Sequence, residues 1–464
     1  MKRIILLSGI CALCIQSILA QEKMFVHRSD KITQGVLLSV LDSMTFVNET
    51  VLLHLHDQDA PTYSMTEIDS LSFGDNSLQI KILYSDIGIE IVNPLAFEGV
   101  SISVDDGNVI ITSTISEEVE YILTGTISNG MFKIYSDKKF ILTLNGVNIT
   151  NADGPAINIQ SGKKVTVNLT EGTINTLTDG KKYADSGPED MKGCFFSEGQ
   201  LIFNGEGALY VQGNKKHGIC SDDYLLVNSG NITITGAASD GIHANDYIRI
   251  DGGSGTVTSD SDGLDGDEGY IEINGGKVQI TSTSDDVKGI KCDGTFTMNG
   301  GEIHISVSGN QSKGIKTKND LRINDGFDCD RNTFSITGGV LIGTGGSSST
   351  PTSSACSQRS VLYSASSATS GNLINIQDAN GTNVFTYKLP RSYQTMTLLF
   401  SSADLKANTN YTIYTGGSIS GGEDFHGYYT GAVYTPGTKT TTFTTSSMVT
   451  TIGSSGGGGG KPGH

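Results

Sequence analysis

A near-constant period of turn glycines constrains this chain more than any other feature. Gly207, Gly230, Gly253, Gly276, Gly301 and Gly326 are separated by 23, 23, 23, 25 and 25 residues. From Gly230 onward an Asn or Asp stands two positions earlier: Asn228, Asp251, Asn274, Asn299 and Asn324. Short runs of alternating polarity follow at 231–235 (NITIT), 277–281 (KVQIT) and 302–306 (EIHIS), and alternation of that length marks strands with one buried face. A second glycine set, Gly218, Gly241, Gly263, Gly289 and Gly314, is followed each time by one apolar residue: Ile219, Ile242, Leu264, Ile290 and Ile315. One apolar residue at the same phase of every repeat is an inward stack. A repeat of this size is one three-strand turn of a parallel β-helix, whose successive rungs pair through their backbones at roughly 4.8 Å.

Two rival folds explain less. A β-sandwich has short strands but no reason to repeat its turn chemistry at a fixed period. Leucine-rich repeats share the period but require an L-x-x-L-x-L pattern and helical halves that are missing. The expected fold is therefore all-β: a parallel β-helix over residues 95–345, surest across 200–330. A small β module over 21–85 precedes it, where residues 41–46 (LDSMTF) and 68–73 (IDSLSF) echo each other. A β cap or sandwich over 356–452 and a Gly-rich tail over 453–464 follow. Residues 1–20, with Lys2 and Arg3 before an apolar stretch and Ala20 at its end, read as an export signal. No later stretch is apolar enough to span a membrane.

Composition then narrows the chemistry. The formal charge is −18, and loss of Lys2 and Arg3 with residues 1–20 makes it −20, which argues against nucleic acid as a partner. An anionic ligand would need metal ions or a lysine patch to intervene. Trp is absent, which argues against binding to flat glucans by ring stacking. Five cysteines remain after residue 20 (Cys194, Cys220, Cys292, Cys329 and Cys356); their number is odd and their spacing matches no zinc pattern, so they read as small buried hydrophobes. Residues 178–192 interrupt the repeat with a polar insertion of the kind that lies on a surface beside a binding face.

Aligning rungs on the second glycine set puts polar residues in columns. The position before the glycine reads His217, Asp240, Asp262, Lys288, Lys313, and the position two after it reads Cys220, His243, Asp265, Lys291, Lys316. Five consecutive polar residues do not fit an apolar interior, so a backbone bend at the glycine is expected to turn both columns to solvent. Asp240, Asp260, Asp262, Asp265 and Asp267, with Glu268, would then crowd like charges, and a hard cation such as calcium would relieve the repulsion. Lys288, Lys291, Lys313 and Lys316 follow as a lysine ladder suited to anions, with His243 beside it. The alternative for Lys288 and Lys291 is simple pairing with Asp262 and Asp265, worth little at a surface. The Asn/Asp–Gly column needs only a structural explanation, amides bonding one another along the turns.

The run 172–180 (GTINTLTDG), the Asp240-Gly241-Ile242 and Asp262-Gly263-Leu264 turns, the two Lys-Gly-Ile-Lys phrases at 288–291 and 313–316, and the stretch 405–417 resemble a secreted carbohydrate-binding β-helix family that binds polygalacturonate. The likeness runs over about residues 95–450. It implies a calcium-containing right-handed β-helix similar to some pectate lyases, an acidic polysaccharide such as pectin as ligand, and Asp240, Asp262 and Asp265 as calcium ligands. Residues 22–85 look like N-terminal modules of surface proteins from glycan-degrading bacteria. Three functions stay open from the sequence. One is a non-catalytic binder of acidic glycan. Another is a calcium-dependent lyase with Lys288 or Lys291 as its base. The last is a structural or adhesive surface protein.

Overall fold

The structure is a computed structural model of the chain. It describes residues 22–56, 61–185, 187–307, 312–317, 321–323, 335–336, 340–345, 350–389, 391–425 and 427–453. The export signal, Cys329, Gly326 and the tail beyond 453 lie outside the described residues. The protein is all-β, with a solenoid of about 8 turns. It divides into two compact units, residues 1–215 with 219–223, and residues 216–218 with 224–464.

In the first unit, Lys23–Arg28 pairs antiparallel with Ile32–Leu37 and with Ile68–Gly74. Leu41–Val47, Thr50–Leu55 and Thr62–Ser64 make a small sheet. Met24, Val26, Val36, Val51, Leu53, Leu55 and Tyr63 form the module's own core. The module does not stop before the solenoid begins: Gln79–Tyr84 already pairs in parallel with Glu120–Ile127. The hairpin Val100–Asp105 and Asn108–Ser113 lays an antiparallel strand on the first rung of another column, which covers a strand edge that would otherwise be bare. Three parallel columns then rise. Val165–Leu169 leads to Leu201–Gly205, Ile174–Thr178 to Ala208–Gly213, and Ile157–Gln160 to Gly193–Ser197.

In the second unit three parallel columns contribute one strand each per rung. The first holds Tyr224–Val227, Tyr247–Ile250, Tyr270–Ile273 and Phe296–Met298. The second holds Asn231–Ala237, Ser254–Thr258, Lys277–Ser282 and Glu302–Val307. The third holds Ile242–Ala244, Leu264–Asp265, Lys288–Cys292 and Lys313–Thr317. The inward stack predicted from the repeat is present within this unit: Ile242, Leu264, Ile290 and Ile315 follow one another in register and are buried, and Ile219 in the first unit is buried too. The turn glycines Gly230, Gly253, Gly276 and Gly301 have positive φ, whereas at Gly207 that conformation falls instead on Gly205. Asn299 donates to Asn274 (2.7 Å) and Asn274 to Asp251 (2.7 Å), so the turn amides form the expected ladder.

The described residues of 341–452 form a four-stranded mixed sheet, in which Ser360–Ala365 pairs in parallel with Val449–Ile452, a six-stranded antiparallel sheet and a two-stranded one, with one core that includes Val361, Ile376, Phe385, Leu398, Phe400 and Ile413. Of the two arrangements open in the sequence, this is the sandwich. Among the described residues, Cys194, Cys220, Cys292 and Cys356 are buried and form no disulfide.

Candidate functional site

The third column of the second unit, with the turn residues just before it, gathers most of the ionisable residues singled out in the sequence. Asp240, Asp262 and Lys288 precede Gly241, Gly263 and Gly289, so they stack at one position per rung. The Asp262 N–H donates to Asp240 Oδ1 (2.9 Å) and the Lys288 N–H to Asp262 Oδ1 (2.7 Å). Each carboxylate thus satisfies a backbone donor of the following rung, a requirement for any buried peptide group. His243, Asp265, Lys291 and Lys316 stack in register on the neighbouring position.

The two stacks meet. His243 Nδ1 lies 3.5 Å from Asp240 Oδ2 and 3.6 Å from Asp265 Oδ2, near enough for ion pairing and too far for a good hydrogen bond. Its Nε2 is 3.2 Å from Asn245 Oδ1; an amide oxygen only accepts, so Nε2 carries a proton. His217 Nδ1 is 3.2 Å from Asp240 Oδ2, and its ring stacks on His243 at 4.5 Å between centroids. Lys291 Nζ reaches Asp265 Oδ2 (2.8 Å) and Asp262 Oδ2 (3.3 Å).

Several expectations change at this point. The bend that puts both stacks on one side is present, but the carboxylates are not solvated: Asp240, Asp262 and Asp265 are 6%, 7% and 4% exposed, and Lys288 is 8% exposed. The side chains bury one another laterally. Lys288 does not pair with Asp262 through its ammonium, which instead binds Asp286 Oδ1 (2.9 Å) and the Asp286 carbonyl. Lys291 serves both Asp262 and Asp265. Asp260 is exposed. Asp267 occupies a positive-φ turn and donates its N–H to Asp265 Oδ1 (3.0 Å). Neither supplies an atom to the Asp240–His243–Asp265 cluster. Lys313 and Lys316 are exposed. The role of His217 in the cluster was not drawn from the sequence, although it heads the same column as Asp240.

Protonation follows from these contacts. Burial lowers the His243 pKa, but the Asp240 and Asp265 carboxylates outweigh it and push it up to about 10. Burial raises the Asp240 carboxyl, and the His217 and His243 rings outweigh that to hold it far below the usual range. Asp265 is raised by burial and more strongly lowered by His243 and Lys291. Asp262 is raised, because burial outweighs the Lys288 N–H and the Lys291 charge. Burial lowers Lys291, and Asp265 and Asp262 more than reverse it. At neutral pH the cluster is therefore a set of ion pairs built from the chain's own charges, with buried carboxylates and partly buried cations.

That arrangement does not fit calcium. Calcium takes about six to eight oxygen ligands, whereas here an imidazole lies between the carboxylates and an ammonium already occupies Asp265 Oδ2. The tyrosine ladder Tyr224–Tyr247–Tyr270 on the first column has no free ring face between its members for a sugar to stack on. Its rings stack on each other at 4.7 Å, so the inner faces are covered.

Fold and surface together define a parallel β-solenoid with polar, ladder-like faces. The chain belongs to the family of carbohydrate-binding domain-containing proteins, whose model matches residues 105–419. It is similar to a carbohydrate-binding domain-containing protein of Acetivibrio thermocellus, with 36% identity over 118 residues, 25% of this chain and 41% of that protein. The chain thus spans less than half the length of this relative. It is also similar to the solved structure of the polysaccharide lyase-like protein from C. thermocellum, a gadolinium derivative, with TM-score 0.46 and 28% identity over 53% of this chain and 96% of that one.

Proposed function

We propose that the chain is an exported, non-catalytic binder of a carboxylate-bearing polysaccharide of the polygalacturonate type, held at the Lys313–Thr317 end of the third column. The observation that carries this reading is the division of labour among four lysines. Lys288 and Lys291 are taken up by Asp286, Asp262 and Asp265. Lys313 and Lys316, stacked next in register, are exposed; the Lys316 charge acts on the Asp286 carboxyl, but neither lysine is taken up in a close ion pair of the kind that holds Lys288 and Lys291. In a chain of net charge −18, two such ammonium groups one rung from two more are a local anion site. Changing Lys313 and Lys316 together to Gln should weaken retention on polygalacturonate by roughly tenfold or more, since charged hydrogen bonds contribute about 1.5 kcal/mol or more each. Neutral glucans should show no matching change, and wild-type affinity should fall as salt rises. Equal retention of mutant and wild type would leave the chain a structural or adhesive surface protein as far as these lysines are concerned.

Proton abstraction by a lyase needs a neutral amine. Lys291 is held in its ammonium form by Asp265 and Asp262, and the Lys288 ammonium is engaged by Asp286, so retention without release of unsaturated uronides is expected at neutral pH. Calcium is proposed to have no resident place in the Asp240–His243–Asp265 cluster. Melting curves with excess chelator and with excess calcium should superimpose, because an ion bound only by the folded chain would stabilise it by mass action. A clear rise with calcium, abolished in Asp265→Ala, would restore the metal ligands expected from the sequence.

A further inference from the structure

We propose that Lys133, Tyr135, Asn158 and Gln160 form a second carboxylate-binding subsite, and that the insertion closes it in cis with Glu189. Met131–Ser136 pairs in parallel with Ile157–Gln160, with Lys133 opposite Asn158 and Tyr135 opposite Gln160. Their neighbours Phe132, Ile134, Ile157 and Ile159 fill the core, so alternation puts these four side chains on the outer face of one column, one rung apart. Glu189 Oε2 accepts from Lys133 Nζ and Oε1 from the Tyr135 hydroxyl, and the ammonium sits 5.2 Å from the centre of the Tyr135 ring. An ammonium and a phenol that each take one oxygen of a single carboxylate form a built recognition site, and Glu189 occupies it as an internal substitute.

A separate observation points to an outside ligand. Asn158 is 0% exposed. Its Oδ1 accepts from Gln160 Nε2 (2.7 Å), yet its Nδ2 has no hydrogen-bond partner among the described residues. A buried amide left so costs about 1–3 kcal/mol, and an acceptor adjacent to a bound carboxylate would satisfy it. A uronate unit carries such hydroxyl and ring oxygens beside its carboxylate.

The cover is cheap to lift. Among described residues 181–192 none is buried, and the segment is held by polar contacts. The Tyr183 hydroxyl donates to the buried Asp179 carboxylate, the Ala184 N–H to Asp153 O (2.7 Å) and Gln160 Nε2 to Asp190 O (2.8 Å), and Lys192 pairs with Asp222 (2.7 Å). Segments with little buried apolar area open locally at low cost.

The ligand class rests on the acidic-polysaccharide reading, but the subsite does not use Lys313 or Lys316. The test is titration of the full chain with galacturonate oligomers, comparing wild type, Glu189→Gln and Lys133→Gln/Glu189→Gln, each checked for an unchanged melting curve. Removing the internal competitor should tighten binding by about five- to tenfold, the factor by which a mostly closed state suppresses affinity. The gain should vanish in the double variant. Cleavage by trypsin at Lys181 or Lys182 should quicken when oligomer is added to wild type. Glu189→Gln binding no better than wild type, or a gain that persists without Lys133, would overturn the subsite. If wild type is retained through Lys313 and Lys316 while Glu189→Gln changes nothing, only the subsite fails. If Glu189→Gln binds and the Lys313/Lys316 variant is unimpaired, only the earlier placement fails.

Discussion

Gly263→Ala should destabilise the chain by about 3 kcal/mol or more, at the upper end of what overpacking costs. An added Cβ would lie 2.3 Å from Ile280 Cγ2 and 2.5 Å from the Gly289 carbonyl oxygen. The same collision repeats along the column. At Gly241 the contacts are Val257 Cγ1 (2.1 Å) and the Gly263 oxygen (2.8 Å), and at Gly289 they are Ile305 Cγ2 (2.2 Å) and the Gly314 oxygen (2.7 Å). The φ angles at these glycines are ordinary, so glycine is required for close approach and not for a left-handed turn. The Gly263 oxygen is also the acceptor of the Ile242 N–H (3.0 Å), so relief by shifting the backbone would break the ladder that relief by rotating Ile280 would spare. Neither escape is free, because Ile280 is fully buried in a close-packed interior. Urea midpoints should fall clearly for Gly263→Ala and stay near wild type for Gly162→Ala, where nothing lies within 4 Å of the added atom. Equal midpoints for the two would mean that the rungs are not packed through these glycines.

The same glycines show what a sequence of this kind makes legible. Period and alternation identify the columns, the inward stack from Ile242 to Ile315 and the Asn ladder, because those depend on backbone pairing that every rung repeats. The orientation of polar columns is different in kind. A rule against polar interiors turned Asp240 and Asp262 outward, and the residues do leave the apolar core. Their burial comes from neighbours three positions along and one rung away, which only the folded register supplies. Lys288 shows the same limit from the other side. Column position put it on Asp262, but its side chain is long enough to return to Asp286 two residues before it. The insertion was legible as a surface feature. That Glu189 reaches Lys133 and Tyr135, more than fifty residues earlier, was not, since no periodic signal links a loop to the strand it covers.

Replacing His243 by Ala should cost about 3–5 kcal/mol at pH 6, the range for removing one partner from a buried ion cluster, and much less near pH 10. The sign follows from the groups that face the ring. Asp240 and Asp265 flank Nδ1, Asn245 holds Nε2, the His217 ring lies on one face, and Lys291 stands on the far side of Asp265. His243 titrates at about 10 in the folded chain against roughly 6.5 when unfolded. A group whose folded pKa is raised contributes its full stabilisation below the unfolded value and loses it as pH climbs through the folded one. The wild-type chain should therefore lose stability between about pH 6.5 and 10 through this residue, while His243→Ala, with no proton to lose there, should not. The acid limb has another origin: Asp240 and Asp265 are held below their usual values, so their contribution is present above about pH 4 and fades as pH falls through their folded values. Urea midpoints of both proteins at pH 6, 8 and 9.5 separate the cases. A gap that narrows as pH rises identifies a buried imidazolium that neutralises two carboxylates without a metal ion. A gap of constant width would instead mean a neutral ring whose loss only opens a cavity, and the carboxylates between which it sits would then need a cation from solution.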